Sequence, residues 1–192
     1  MAIPENHSLL AAYPESNSNG YGRILAEKRF SAILQDLKFT SVLDVGSGAC
    51  FLKTWLQEVG ISANYEAVDI RPEALALCDC TTHSVIPPTG QYDLICLFGT
   101  VTYNLDDDVL KNKQTLNTLL TEAKKVGTEH ILFTVFSDTV LVNLSPDDVN
   151  KFVFFSKDEI TDLVQKVGLT LVYLKEFPEI DPNEYFVMCS VQ

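Results

Sequence analysis

Apolar runs of strand length alternate with helical text along most of this chain, and that alternation constrains the fold more than any single motif. SVLDV, AVDI, LICLF, HILFTVF and LTLVYL are the runs. Between them, Cys50 to Val59, roughly Asp107 to Val126, and Lys157 to Val167 carry apolar residues at helical spacing. Ser156 followed by Glu159 adds a capping-box start to the last of these helices. Strands separated by helices pair in parallel, so the pattern predicts an α/β fold whose sheet is covered on both faces. The ending differs. LTLVYLKEF and EYFVMCSVQ are joined by Pro178 to Asn183 with no helix between them, which makes the last strand antiparallel to its neighbour.

With 192 residues, 46% of them apolar, the chain fills one core and is short for two. Its 14 basic and 26 acidic side chains give a net charge of −12, and the basic residues form no run longer than Lys124-Lys125. Binding to phosphate backbones depends on lysine and arginine displacing counterions, so nucleic-acid substrates and anionic membranes are disfavoured. No apolar run approaches the ~20 residues of a membrane span, and the start, MAIPENHSLLAAYPES, lacks the order of a secretory signal. A cytoplasmic protein is expected. Cys50, Cys78, Cys80, Cys96 and Cys189 agree, reading as buried structural thiols without a pairing rhythm; Cys78-Asp79-Cys80 has one residue between its thiols, not two.

Met1 to Gly20 reads as an irregular arm and Tyr21 to Leu37 as a helix with one apolar face. Residues 1–38 thus form an arm and helix that cap a domain of residues 39–192. Ser137 to Phe155 is a candidate lid. Asp106-Asp107-Asp108 and Asp147-Asp148 read as helix-start acids rather than metal ligands, His83 as a solvent-facing loop residue, and no metal is expected.

VLDVGSGACFL places Gly46 and Gly48 at the carboxyl end of the first strand, ahead of a helix. Ligands of open α/β sheets bind at such ends. A phosphate-cradling loop would end in Gly-Lys-Ser/Thr, and Gly48-Ala49-Cys50 stands there instead. A dinucleotide loop would continue to a third glycine, where the chain has Phe51. Asp44 beside the loop suits a positively charged ligand, and Asp69, about twenty residues beyond, stands where such folds place the acid that accepts from ribose hydroxyls. A ribose, a positive group and no diphosphate describe S-adenosylmethionine.

LDVGSGACFL, AVDIRPEAL, QYDLICLFGTVTYN and the two closing strands resemble a class I S-adenosylmethionine-dependent methyltransferase, from about Thr40 to Gln192. The resemblance implies a Rossmann-like, doubly wound, mostly parallel seven-stranded sheet with an antiparallel last strand. It implies that Asp44, Gly46, Ser47 and Gly48 wrap the methionine portion, that Asp69 holds the ribose with Ile70 against the adenine, and that Asp79, after the apolar text LALC, or else Cys80 or Thr81, borders the adenine amino group. Phe98 and Gly99 fall where the methyl faces its acceptor, and Tyr103 and Asn104 are the substrate-side candidates. Cys50 replaces the third loop glycine, and the text between Asp69 and Asp79 leaves room for only a turn of helix. LFGTVTYN lacks the Asn/Asp-Pro-Pro-Tyr pattern of amino-methylating nucleic-acid enzymes. It also lacks the acids that aminopropyl transferases place at the fourth strand's end, the nearest being Asp106. The expected activity is methyl transfer to a small molecule, with a protein acceptor or a catalytically silent, cofactor-binding regulatory domain as alternatives.

Overall fold

The computed structural model describes residues 21–101, 108–139, 149–150, 152–177 and 181–191. Helix α1 (Tyr21–Leu34) is followed by β1 (Ser41–Val45), α2 (Phe51–Glu58), β2 (Asn64–Val68), a one-turn α3 (Pro72–Leu75), β3 (Thr81–His83) and β4 (Tyr92–Leu97). Then come α4 (Val109–Val126), β5 (Gly127–Ser137), β6 (Phe154–Phe155), α5 (Lys157–Val167), β7 (Thr170–Phe177) and β8 (Asp181–Ser190). The seven expected strands lie on one path, in the order β3-β2-β1-β4-β5-β8-β7, with two-residue β6 an eighth strand beside the end of β5. All pairs along the path are parallel except those made by β8, which runs antiparallel to both β5 and β7.

Alternation along the strands sorts the core into two layers. On one face, Val42, Ala67 and Leu94 pack under Phe30 and Leu34 of α1 and Leu52 and Trp55 of α2. On the other, Leu43, Ile95, Phe133 and Val187 pack under Leu116 and Leu120 of α4 and Ile160 and Val164 of α5. Helix α5 begins with the expected capping box: Glu159 N donates to Ser156 Oγ at 3.1 Å and Ser156 N donates to Glu159 Oε2 at 2.9 Å. At its other end, Lys124 Nζ of α4 donates to the carbonyls of Val167 and Gly168. Asp108 caps α4 by accepting from Lys111 N, as a helix-start acid should.

The apolar text LALC runs from the end of α3 into the turn after it, and the third strand is TTH, whose threonines are exposed. Two expectations need correction. His83 therefore closes β3 rather than lying in a loop, and its Nε2 sits 2.7 Å from Glu66 Oε2, which also accepts from Tyr92 OH at 2.8 Å. Cys50 and Cys78 are not free thiols but a disulfide, with Cα atoms 5.6 Å apart. The single turn of α3 brings Cys78 back to the start of α2, a juxtaposition with no trace in local periodicity. The cysteine argument for a reducing compartment loses its basis there; among the described residues no helix is long and apolar enough to cross a membrane. The arm Met1 to Gly20, Asp106, Asp107, Asp147, Asp148 and most of the candidate lid lie outside the described residues.

From β3 the chain returns to β4 through residues 84–91 without a helix. The side of β1 and β2 that faces α4 is consequently left with room above Val45 and Val68, at the end of the sheet where chain order reverses between β1 and β4.

Candidate functional site

That room is a cavity of about 540 Å³. Its floor is Val45, Gly46 and Val68; Asp69, Ile70 and Arg71 wall one side and Gly99 and Thr100 another. Ser84, Val85 and Ile86 of the helix-free connection border it, and Thr115, Thr118, Leu119 and Glu122 of α4 close it. Those four positions are three, four and seven apart, one stripe of a helix.

The glycine loop is built by its own hydrogen bonds. Gly46 and Gly48 have φ of +76° and +53°, and Cys50, at +58°, enters the same left-handed region without being glycine. A side chain at Gly46 would lie 2.6 Å from Thr100 Oγ1, which itself donates to Val45 O at 2.7 Å. The neighbour that Gly46 must accommodate is thus the loop after β4. Gly46 N and Ser47 N donate to Val68 O, Gly48 N to Asp69 Oδ2 at 2.9 Å, and Cys50 N to Ser47 O. Amides engaged in this way do not form a phosphate nest, in agreement with the missing Gly-Lys-Ser/Thr ending.

Two buried carboxyl groups flank the loop, and their surroundings separate them. Asp69 is 3% exposed. Its Oδ1 accepts from Arg71 N and Nε, and its Oδ2 from Arg71 Nη2 and Gly48 N, all at 2.9–3.0 Å. Burial pushes this carboxyl up, but the hydrogen bonds and charge of Arg71 and the Gly48 amide outweigh it and hold the acid below its ordinary value. Asp44, one layer beneath, accepts from Tyr65 OH at 2.5 Å. Burial raises it to about 7, with the Tyr65 bond pulling the other way and the Asp69 charge adding to the rise. Asp69 therefore carries charge at neutrality while Asp44 is poised between its two forms.

Of the residues singled out from sequence, the cavity brings together Gly46, Asp69, Ile70 and Gly99. Asp44, Ser47 and Gly48 support it from outside the lining. Phe98 turns away and packs on Phe30 of α1, ring centres 5.6 Å apart. Asp79 and Cys80 precede β3, so the residues beyond that strand's carboxyl end are Ser84 to Ile86. Tyr103 and Asn104 lie outside the described residues. Sequence reasoning passes over Arg71 and the α4 stripe, whose spacing is visible but whose facing is not.

Neither a family model nor a curated protein matches the chain. Its fold does match solved structures. A S-adenosylmethionine-dependent methyltransferase from Clostridium acetobutylicum superposes with a TM-score of 0.66 at 11% identity, over 95% of this chain and 99% of that one. Magnesium protoporphyrin IX methyltransferase from Synechocystis, solved with bound S-adenosylhomocysteine, gives 0.66 at 9% identity over 88% and 84%. The pyocyanin biosynthetic protein PhzM gives 0.62 at 16%; the match covers 88% of this chain, which spans only 55% of PhzM. The fold is the one these methyltransferases share.

Proposed function

We propose that the chain binds S-adenosylmethionine and transfers its methyl group to a small-molecule acceptor. The observation that carries this reading is the cavity itself, which joins Gly46, Asp69, Ile70 and Gly99 at the switch point of a methyltransferase fold. The donor set fits the cofactor. Asp69 is an ionised acceptor for ribose hydroxyls, Ile70 and Ile86 offer apolar surface for a purine, and the engaged loop amides disfavour a diphosphate. Ser47 Oγ is a buried polar atom with no partner among the described residues, a hydrogen-bonding group left at the loop for a ligand.

When bound, the cofactor supplies a methyl group whose sulfonium leaving group needs no further activation. What remains to the protein is to hold the acceptor in line and to exclude water. The α4 stripe and the 84–86 connection supply walls for that purpose, and Tyr103 and Asn104, just beyond the Gly99-Thr100 corner, are proposed to contact the acceptor. A small-molecule acceptor agrees with the excess of acid, which opposes nucleic acid, and with neighbours named for a pigment-biosynthetic protein and a porphyrin methyltransferase.

Arg71 favours a second reading. Its fork and main-chain amide, with Gly48, occupy the four acceptor positions of Asp69, so ribose hydroxyls must share or displace them. A domain that keeps this pair closed would bind cofactor weakly and act as a silent regulatory unit. Calorimetric titration with S-adenosylmethionine and S-adenosylhomocysteine, against NAD and ATP as controls, separates the two. Micromolar binding of the first pair alone is expected. Binding of a control instead would overturn the assignment, and binding much weaker than micromolar would favour the closed Asp69–Arg71 pair. Asp69→Ala is expected to weaken cofactor binding by about 1–3 kcal/mol; unchanged affinity would place the ribose elsewhere.

A further inference from the structure

The Sγ atoms of Cys50, Cys78 and Cys80 all lie within 4.8 Å of one another, beside the glycine loop on the sheet face opposite the cavity. Cys50 and Cys78 are joined, and Cys80 is a half-buried free thiol at their side. A structural crosslink needs two sulfurs, and the third has no role in the site described above. We propose that, once the disulfide is reduced, these three thiols form a binding site for monovalent copper.

The chemistry favours a soft ion with low coordination. Three thiolates at ~2.3 Å from a common ion stand ~4 Å apart, a spacing this cluster reaches with small side-chain movements after the S–S bond opens. Zinc in protein sites almost always takes four ligands, and among the described residues no histidine, aspartate or glutamate joins the cluster as a fourth. Copper(I) selects soft sulfur ligands. Cys80 is partly open to solvent, which gives the ion a way in.

Opening the site consumes two electrons and two protons. A dithiol supplies both, becoming a disulfide as Cys50 and Cys78 become thiols. Copper(I) then displaces the thiol protons to solvent, and no change of oxidation state occurs on binding. The proposal is independent of methyl transfer, since none of the three sulfurs lines the cavity.

The test uses the full chain, reduced with a dithiol, desalted without oxygen and titrated with copper(I) held by a chromophoric chelator. One ion taken per chain is expected, together with protection of Cys50, Cys78 and Cys80 from alkylation, read by mass spectrometry. Cys80→Ser, which leaves the disulfide pair intact, should lose at least 100-fold in affinity, and Cys189→Ser should lose nothing. Three results would overturn the proposal: no copper removed from the chelator, wild-type affinity in Cys80→Ser, or equally tight protection by zinc(II) in a parallel titration. The alkylation pattern is read on the wild-type chain and so does not depend on any variant folding.

Discussion

The two ends of the sheet solve different problems. At the β5–β8–β7 end, long strands, a capped α5 and the Lys124 tie close the core, and Glu184, 2% exposed, meets Arg29 of α1 at 2.8 Å. At the β3–β2–β1 end, a helix is reduced to one turn or absent, three alternate loop positions, Gly46, Gly48 and Cys50, enter left-handed conformations, and two carboxyl groups are buried near each other. One end is organised for stability. The other holds groups that cost stability, which is the usual mark of a place where something binds.

Substitutions at the two ends should accordingly differ in sign. Arg29→Ala strands a buried carboxylate at the closed end and is expected to destabilise by about 3–5 kcal/mol in urea denaturation. Asp44→Asn should do the reverse. In the folded protein Asp44 titrates near 7, above its ordinary 3.8, so between those values the folded state binds more protons than the unfolded chain and stability falls as pH rises. This group alone removes ~4 kcal/mol across that window, and the asparagine variant should lack the decline. Asp69, held below its ordinary value, acts oppositely: its contribution is present above the ordinary carboxylate range and is lost as pH falls below it. Melting curves from pH 4 to 8 on wild type and variant measure the difference, and a variant whose curve still parallels wild type would remove Asp44 from the account.

Two further effects are losses of stability, one at each end. Reducing Cys50–Cys78, whose residues are 28 apart in sequence, should cost ~3–4 kcal/mol through loop entropy in the unfolded chain, read as a lower urea midpoint. Ser156→Ala should cost about 1 kcal/mol by uncapping α5; a loss above 2 kcal/mol would mean that the closed end depends on its helix start more than its packing suggests.

What could be read from sequence follows the same division. HILFTVF, EYFVMCSVQ and the Ser156/Glu159 box announce themselves because burial and capping impose local patterns, and they build the closed end. The site end depends on contacts between distant residues. Thr81 and Thr82 carry no apolar signal because β3 is an exposed edge. Cys50 and Cys78 meet only because α3 is short, Phe154–Phe155 is too brief to detect, and the facing of Thr115 and Thr118 follows from how α4 lies on the sheet. Asp69 was legible as an acid at a strand end; its engagement by Arg71 was not.

The unequal lengths of the sheet's two margins bear on how the protein behaves in concentrated solution. β3 offers three residues to an incoming strand, too few to template stable pairing, whereas β7 offers eight, with Val172 half exposed. Self-association by strand addition would therefore begin at β7. Lys175 and Glu176 stand on that margin, and such charged residues discourage it. A tag or crystal-contact substitution that neutralises them would trade solubility for order, and it is the place to avoid when the surface is redesigned.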